Sequence, residues 1–454
     1  MLSKQLWLAY TDGLDSELQQ ASEEGREIPD ELIEEHKTLL GMENCKDKQR
    51  LAREFYTKIQ SLPYKKDYPY GEPSDLHLIK ALRPKYDIYP DSSILSDKDE
   101  MFNRLKGAWF ARCAGCLLGK PFESWNRNKI NGFLRDTDNY PVNYYASSDI
   151  SDELLKKYDI DKSLTWITWI NNVECMPSDD DTNYTIMGIK LLQSYGKDFT
   201  SEDVALCWLG NLPILSLCTA ERVAYKNFIS LISPPNSASY CNPFREWIGA
   251  QIRADFFGYI TPVNPELGAE LAFRDASISH IKNGIYGEMW VAAMLSVAVG
   301  MNKNTEHVME KIILGGLAQI PANCRLAEDI LQVVEWKKQL FSWEMAIDNI
   351  HKKYNENNGH QWCHTISNAM VVAAALMYSD CDLEKAIGIT VMSGFDTDCN
   401  GATVGSVIGM LLGFKNLPDK WISPLNDTIL SGVQGFEKVS ITSLAEATMK
   451  LLLR

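Results

Sequence analysis

The feature that most restricts this chain is a set of long apolar segments rich in Ala, Gly, Leu and Met. They read "MFNRLKGAWFARCAGCLLG", "TNYTIMGIKLLQSYG", "YGEMWVAAMLSVAVG", "AEDILQVVEWKKQL", "TISNAMVVAAALMYS" and "GATVGSVIGMLLG". Their lengths suit helices, and Ala and Met favour helix over strand. Runs of alternating β-branched residues are scarce. "AIGITVMSG" is the best strand candidate, and it could equally close a helix. The expectation is an all-α helical domain over residues 98–454. Gly401, Gly405, Gly409 and Gly413 fall four apart on one helix face, a spacing that suits close helix–helix packing. A chain of 454 residues with 45% hydrophobic content can bury a large core.

Residues 1–97 differ in character, being acidic, polar and rich in Lys, Glu and Gln. "DSELQQASEEGREIPDELIEEHKTLLG" reads as helical pieces with Pro29 near a start, and "LPYKKDYPYGEPSD" as a connector. Trp7, Leu39, Leu40, Leu51 and Phe55 need burial, so a small helical extension is expected and not a disordered tail. The formal net charge is -15 and no long basic run occurs, which argues against a nucleic-acid partner. An acidic chain can still take an anionic ligand if metal ions lie between. The opening "MLSKQLWLAYTDG" lacks the apolar run and cleavage site of a signal peptide. The longest uncharged apolar stretch, residues 402–414, is too short to span a bilayer. A cytoplasmic protein with no membrane partner is the default. Eleven scattered cysteines do not form a disulfide framework. Cys113 and Cys116 make a C-x-x-C inside a small-residue helix, where buried thiols are expected. His360, Cys363 and His364 of "HQWCH" could complete a zinc site only if the fold happened to bring them there.

Two acidic knots carry the chemistry. "GFDTDCNGATVG" (394–405) opens like a calcium loop, with Asp396, Asp398 and Asn400 two apart and Gly401 following. The position where an EF-hand needs a bidentate Glu holds Val407, so it is not one. In "PSDDDTNYTIMGIKLL", Asp179, Asp180 and Asp181 stand at a helix start. One Asp there caps the helix and the helix dipole favours a second, but three exceed what capping requires. Both knots place carboxylates ahead of an apolar helix, which suggests a shared site for Mg2+, Mn2+ or Ca2+. A bare D-x-D also occurs after buried strands of parallel sheets in some phosphatases and glycosyltransferases, a context the helical pattern opposes. A third acid, Glu123, follows the Pro121 stop in "GCLLGKPFE". Two polar stretches, 134–153 and 231–244, look like ordered loops that could rim a pocket.

Together "GCLLGKPFE" (115–123), "DDDT" (179–182) and "GFDTDC" (394–399) resemble, in order, the motifs of the ADP-ribosylglycohydrolase family. "SHIKNGIYGEMWVAAML" (279–295) resembles its central His-containing helix start. The likeness covers about residues 100–450 and leaves out the first hundred. It implies an all-α bundle with two Mg2+ ions at its centre, with Mn2+ as a substitute. It also implies an ADP-ribosylated protein or small-molecule substrate. Glu123 matches the family's mobile Glu ligand, Asp180 and Asp181 its paired Asp, and Asp396 and Asp398 its late Asp ligands. Asp179 stands where the family has a Thr ligand, Cys399 where it has Thr or Ser, and Cys116 where its early motif has Asp. These departures bear on metal count and substrate.

Cleavage at C1″ of an ADP-ribosyl group builds positive charge on the ribose ring. Cations on the 2″- and 3″-hydroxyls orient the ring, and a carboxylate near C1″ can activate water. Glu123 and Asp396 are the catalytic candidates under this resemblance. His280 is a candidate for the diphosphate and Tyr286 for the adenine, each weighed against plain packing. A non-catalytic ADP-ribose-binding or structural protein on the same fold, or a hydrolase of a related nucleotide or nucleoside conjugate, stay open as alternatives.

Overall fold

A computed structural model describes residues 5–160 and 166–453. Among the described residues there are twenty-three α-helices and one two-stranded ribbon, Ile429–Leu430 against Lys438–Val439. The all-α expectation holds. Nine helices build or seat the site: α1 (Leu14–Glu23), α2 (Asp30–Gly41), α3 (Lys46–Gln60), α4 (Lys98–Gly119), α5 (Asp180–Tyr195), α6 (Lys282–Ala298), α7 (Thr365–Tyr378), α8 (Leu383–Met392) and α9 (Thr397–Leu412). The strand candidate "AIGITVMSG" is the body and end of α8. Its Ile and Val residues are buried between helices, where tertiary burial outweighs their modest β preference.

The helices α4 and α9 form the centre, buried nearly all round. Their backbones touch. A Cβ added to Gly115 would lie 1.9 Å from the Gly401 carbonyl oxygen, one on Gly405 2.1 Å from that of Ala111, and one on Gly409 2.3 Å from that of Gly107. Only glycine allows this approach. Partner numbers rise along one helix as they fall along the other, so the pair is antiparallel. The C-terminal end of α4 therefore meets the N-terminal end of α9, with Gly119 against Thr397 and Asp398. Three of the four spaced glycines are explained by close packing. Gly413 differs, ending α9 at φ 74° against the side chain of Asn103. The partner stripe on α4, Gly107, Ala111, Gly115 and Gly119, is also four apart.

Residues 5–97 begin with α1, α2 and α3, which share a small core of Leu14, Ala21, Leu32, Leu39, Ala52, Phe55, Tyr56 and Ile59. Of the residues expected to need burial, Leu39 and Phe55 are buried and Trp7 and Leu51 are partly so, but Leu40 is exposed. This unit sits on the rest of the chain through charge. Arg245, buried, reaches Glu17 and Glu24. Arg325 holds Glu72 at 2.8 Å and Glu246 at 2.7 Å. Residues 239–241 of the stretch 231–244 belong to this seat. Cys241 joins the small core, and Gln60 Nε2 donates to the Ser239 carbonyl at 2.9 Å. No helix among the described residues is long and apolar enough to cross a membrane.

Candidate metal centre and active site

The end of α4 and the starts of α5 and α9 bring the acidic residues together, and each start is built differently. Asp179 caps α5, its carboxylate accepting from the Asp181 N–H at 3.1 Å. Asp396 occupies the equivalent position at α9 but makes no capping bond, which leaves its carboxylate for other partners. The chain reaches Asp396 through two left-handed residues, Gly394 (φ 76°) and Phe395 (φ 58°). A Cβ on Gly394 would come within 2.4 Å of Glu356 Oε2, so this turn needs glycine both for its φ and for space. Asn368 of α7 steadies the loop: its Oδ1 accepts from Asp396 N at 3.2 Å and from Asn400 Nδ2 at 2.7 Å. Thr397 Oγ1 donates to the Gly119 carbonyl at 2.9 Å and ties α9 to the end of α4. Beyond that end, Glu123 stands on a short turn followed by left-handed Ser124.

Lys120 lies at the middle of the set. Its Nζ is 2.6 Å from Asp179 Oδ2, 2.9 Å from Asp398 Oδ2 and 2.9 Å from Glu123 Oε2. Below it the Cys116 thiol donates to Asp181 Oδ2 at 3.7 Å. The buried guanidinium of Arg112 donates to the Asp181 and Ile252 carbonyls at 2.7 and 2.6 Å and pairs with Asp255 at 2.9 Å. Asp179, Asp181, Asp396, Asp398 and Cys399 are buried, Asp180 is half-buried, and the Glu123 side chain keeps 36% of its exposure. Lys120, Thr168, Met176, Pro177 and Asp179 line a cavity of about 160 Å³ beside the carboxylates. A larger cleft of about 590 Å³, among Tyr89, Asp97, Arg104 and Lys311, contains none of the acidic set.

So many carboxylates at one point cannot all carry charge unaided. The charge of Asp398, then burial, pushes Glu123 up to about 8. Burial and the charge of Asp179 push Asp180 up to about 7. Asp181 and Asp396 are driven well above the usual range by burial and by their acidic neighbours. Asp179 goes the other way: burial works to raise it, but the charge and hydrogen bond of Lys120 together with hydrogen bonding to Asp181 hold it below the usual range. Excess negative charge in a buried place is a demand for cations. Three atoms localise that demand: Asp181 Oδ1, Asp396 Oδ1 and Asp398 Oδ1 are buried with no hydrogen-bond donor. Ligand atoms of Asp396, Asp398 and Cys399 lie within 4.8 Å of one another, as do those of Cys116, Asp179, Asp181 and Asp398. Orphaned carboxylate oxygens in two overlapping groups fit hard, oxygen-seeking cations.

The sequence profile described as ADP-ribosylglycohydrolase matches residues 97–453. The chain belongs to the ADP-ribosylglycohydrolase family. It is therefore a glycosidic-bond hydrolase by family. A solved structure titled "ADP-ribosylglycohydrolase-related protein complex" is similar at 17% identity, over 78% of this chain and 99% of that one, with a TM-score of 0.47. No curated protein matches the chain.

The structure gathers Glu123, Asp179, Asp180, Asp181, Asp396, Asp398 and Cys399, but not His280 and Tyr286. Tyr286 of α6 is fully buried and its hydroxyl donates to the Pro73 carbonyl, so it has no open face for an adenine. His280 is also fully buried. Its Nδ1 meets Ser279 Oγ at 2.8 Å, and Glu221 is its nearest carboxylate at 3.9 Å. Neither side chain is exposed for direct substrate contact, since both serve packing at the start of α6. Cys113 and Cys116 are buried thiols of α4, and burial pushes Cys113 up to about 12. "HQWCH" does not join them. His360 and His364 lie instead beside Glu23 of α1. In both rings Nδ1 accepts a hydrogen bond, from Trp247 Nε1 at 3.0 Å and from Ile366 N at 3.2 Å. Both Nε2 atoms face Glu23, and these three residues form a group separate from the Cys113–Cys116 pair, with ligand atoms within 4.8 Å of one another. Sequence reasoning missed Lys120, Arg112 and Asn368. A lysine inside "GKPFE", between two motif positions, was the one visible signal.

Proposed function

We propose that this chain is a divalent-metal-dependent hydrolase of the C1″ glycosidic bond of an ADP-ribosyl group, carried on a protein side chain or a small molecule. Two overlapping groups of ligand atoms, joined at Asp398 and carrying buried carboxylate oxygens without donors, support the reading, with Asp181 and Asp398 drawn from segments some two hundred residues apart. Oxygen donors at this density suit Mg2+, with Mn2+ as substitute. Asp179, Asp180, Asp181, Asp396 and Asp398 would hold the cation, with Glu123 at the rim and Cys399 in the place of a hydroxyl. When bound, such an ion orients vicinal ribose hydroxyls and makes a water acidic enough to attack near neutral pH.

The remaining work falls to the chain. Glu123 keeps 36% of its side-chain exposure at the rim, so it can meet substrate and exchange a proton with solvent. Asp396, released from capping, faces inward and can stabilise positive charge on the ribose. Asn368 and Thr397 hold the loop that presents Asp396. Residues 1–97 act in this reading as an extension docked on residues 98–454, supported by the ion pairs to Arg245 and Arg325.

The test is a turnover screen with Mg2+ and Mn2+ against ADP-ribose linked to Arg, Ser, a nucleobase or an acetyl group. Wild type should turn over at least one linkage. Glu123→Gln should lower turnover by roughly 10²–10⁴-fold. ADP-ribose affinity should change far less, because the lost interaction strengthens in the transition state. Parallel collapse of affinity and rate would make Glu123 a metal or ribose ligand. Tight ADP-ribose binding with no turnover of any linkage would sink the reading and leave a binding protein.

A further inference from the structure

The position of Lys120 bears on how many cations this centre accepts. An ammonium has three N–H donors and no acceptor. Here three carboxylates, from Glu123, Asp179 and Asp398, surround Nζ at 2.9, 2.6 and 2.9 Å, which uses all three donors. Asp179 comes from the start of α5 and Asp398 from the start of α9, so Lys120 bridges the two knots at the seam where a shared cation would bridge them. A dication held jointly by these Asp179 and Asp398 oxygens, at the roughly 2.0–2.6 Å of Mg2+ or Ca2+, would overlap Nζ. Lys120 leaves three buried carboxylate oxygens without a donor: Asp181 Oδ1, Asp396 Oδ1 and Asp398 Oδ1. Two ligand positions are also thiols. Cys116 spends its proton on Asp181, and Cys399 is a soft donor beside Asp396 and Asp398. The Lys120 stem is fixed at its root, since it follows Gly119, which is pressed against the Thr397 and Asp398 backbone.

We propose that Lys120 is a tethered cation that takes the place of one divalent ion, so that this centre binds a single dication on the Asp396–Asp398 side, where ligand atoms of Asp396, Asp398 and Cys399 lie within 4.8 Å of one another. The inference rests on the metal-dependent reading for that remaining ion. The part concerning Lys120 stands or falls on its own count. Arg112 pairs with Asp255 at 2.9 Å and approaches Asp181 Oδ1 only at 3.8 Å, so it does not bridge the two knots as Lys120 does.

The experiment is an Mn2+ titration of the full-length protein, followed by electron paramagnetic resonance, with wild type and Lys120→Met side by side. Wild type should bind one Mn2+ with the spectrum of an isolated ion. Lys120→Met should bind two, with the spectrum of a coupled pair. Two ions in wild type, or a coupled spectrum there, overturns the proposal while leaving metal dependence intact. Equal counts in the two proteins also overturn it. No ion in wild type overturns the proposal and the metal-dependent reading together, whatever the variant binds. If Lys120→Met does not fold, the wild-type count and spectrum decide alone: one isolated ion supports the proposal, two ions or none overturn it.

Discussion

Gly405→Ala isolates the contact on which the centre depends. Gly405 lies within α9, where alanine is the better helix former by about 1 kcal/mol. By propensity alone the change stabilises. The new Cβ would, however, stand 2.1 Å from the Ala111 carbonyl oxygen of α4, about 1.3 Å inside the 3.4 Å at which ordinary contact begins. The obstacle is backbone, so no rotamer change can relieve it and the helices must part. Overpacking of this kind costs ~1–3 kcal/mol, and a rigid partner puts the cost toward the upper end. The net expectation is destabilisation by about 1–2 kcal/mol, read as a melting temperature lower by a few degrees. The same displacement reaches Gly119 and Asp398 at the end of the pair, so Mn2+ affinity should fall as well. Gly210→Ala is the control. It is helical, exposed and has nothing within 4 Å of the added Cβ, so it should raise the melting temperature slightly. If Gly405→Ala melts at or above wild type, the backbones of α4 and α9 are not in close contact, and packing there does not set the geometry of the site.

Arg245→Met leaves Glu17 buried without a cation, while Glu24 keeps Arg26; this should cost about 3–5 kcal/mol and open the connector at 62–75 to limited proteolysis. An unchanged melting curve and digestion pattern would make that ion cluster incidental. Glu23 supplies a pH test: burial works to raise its pKa, but the hydrogen bond from His360 and the charge of His364 bring it down to about 2. A folded value below the unfolded one, about 4.3, means stability present above pH ~4.3 and lost as pH falls toward 2. Glu23→Gln should therefore flatten the acid limb of melting temperature against pH, and superimposable limbs would refute it. Cys399→Thr should tighten Mg2+ binding in calorimetry. Burial and the nearby Asp181, Asp396 and Asp398 hold the present thiol neutral, which makes it a poor ligand for a hard ion. Weaker or unaltered binding would show that the Cys399 side chain takes no part.

The elements and the membership of the acidic set were legible in local stretches of the chain. Helical periodicity and Ala/Met-rich segments are local properties, so α4, with its end at Gly119, and the starts of α5 and α9 could be read directly. Carboxylates at helix starts are equally local. The four-residue glycine spacing on α9 showed that something packs closely there, but not what. Folding made the matching stripe on α4 the partner, and its antiparallel sense carries Lys120 and Glu123 to Asp179 and Asp398. The same holds for Tyr286, whose aromatic ring suggested stacking although the chain at Pro73 covers it. A side chain's type is written in the sequence, but whether it meets a ligand or another part of the chain depends on contacts between residues far apart. Those contacts are set by the burial of whole helix faces, a property of the folded molecule that no single segment contains.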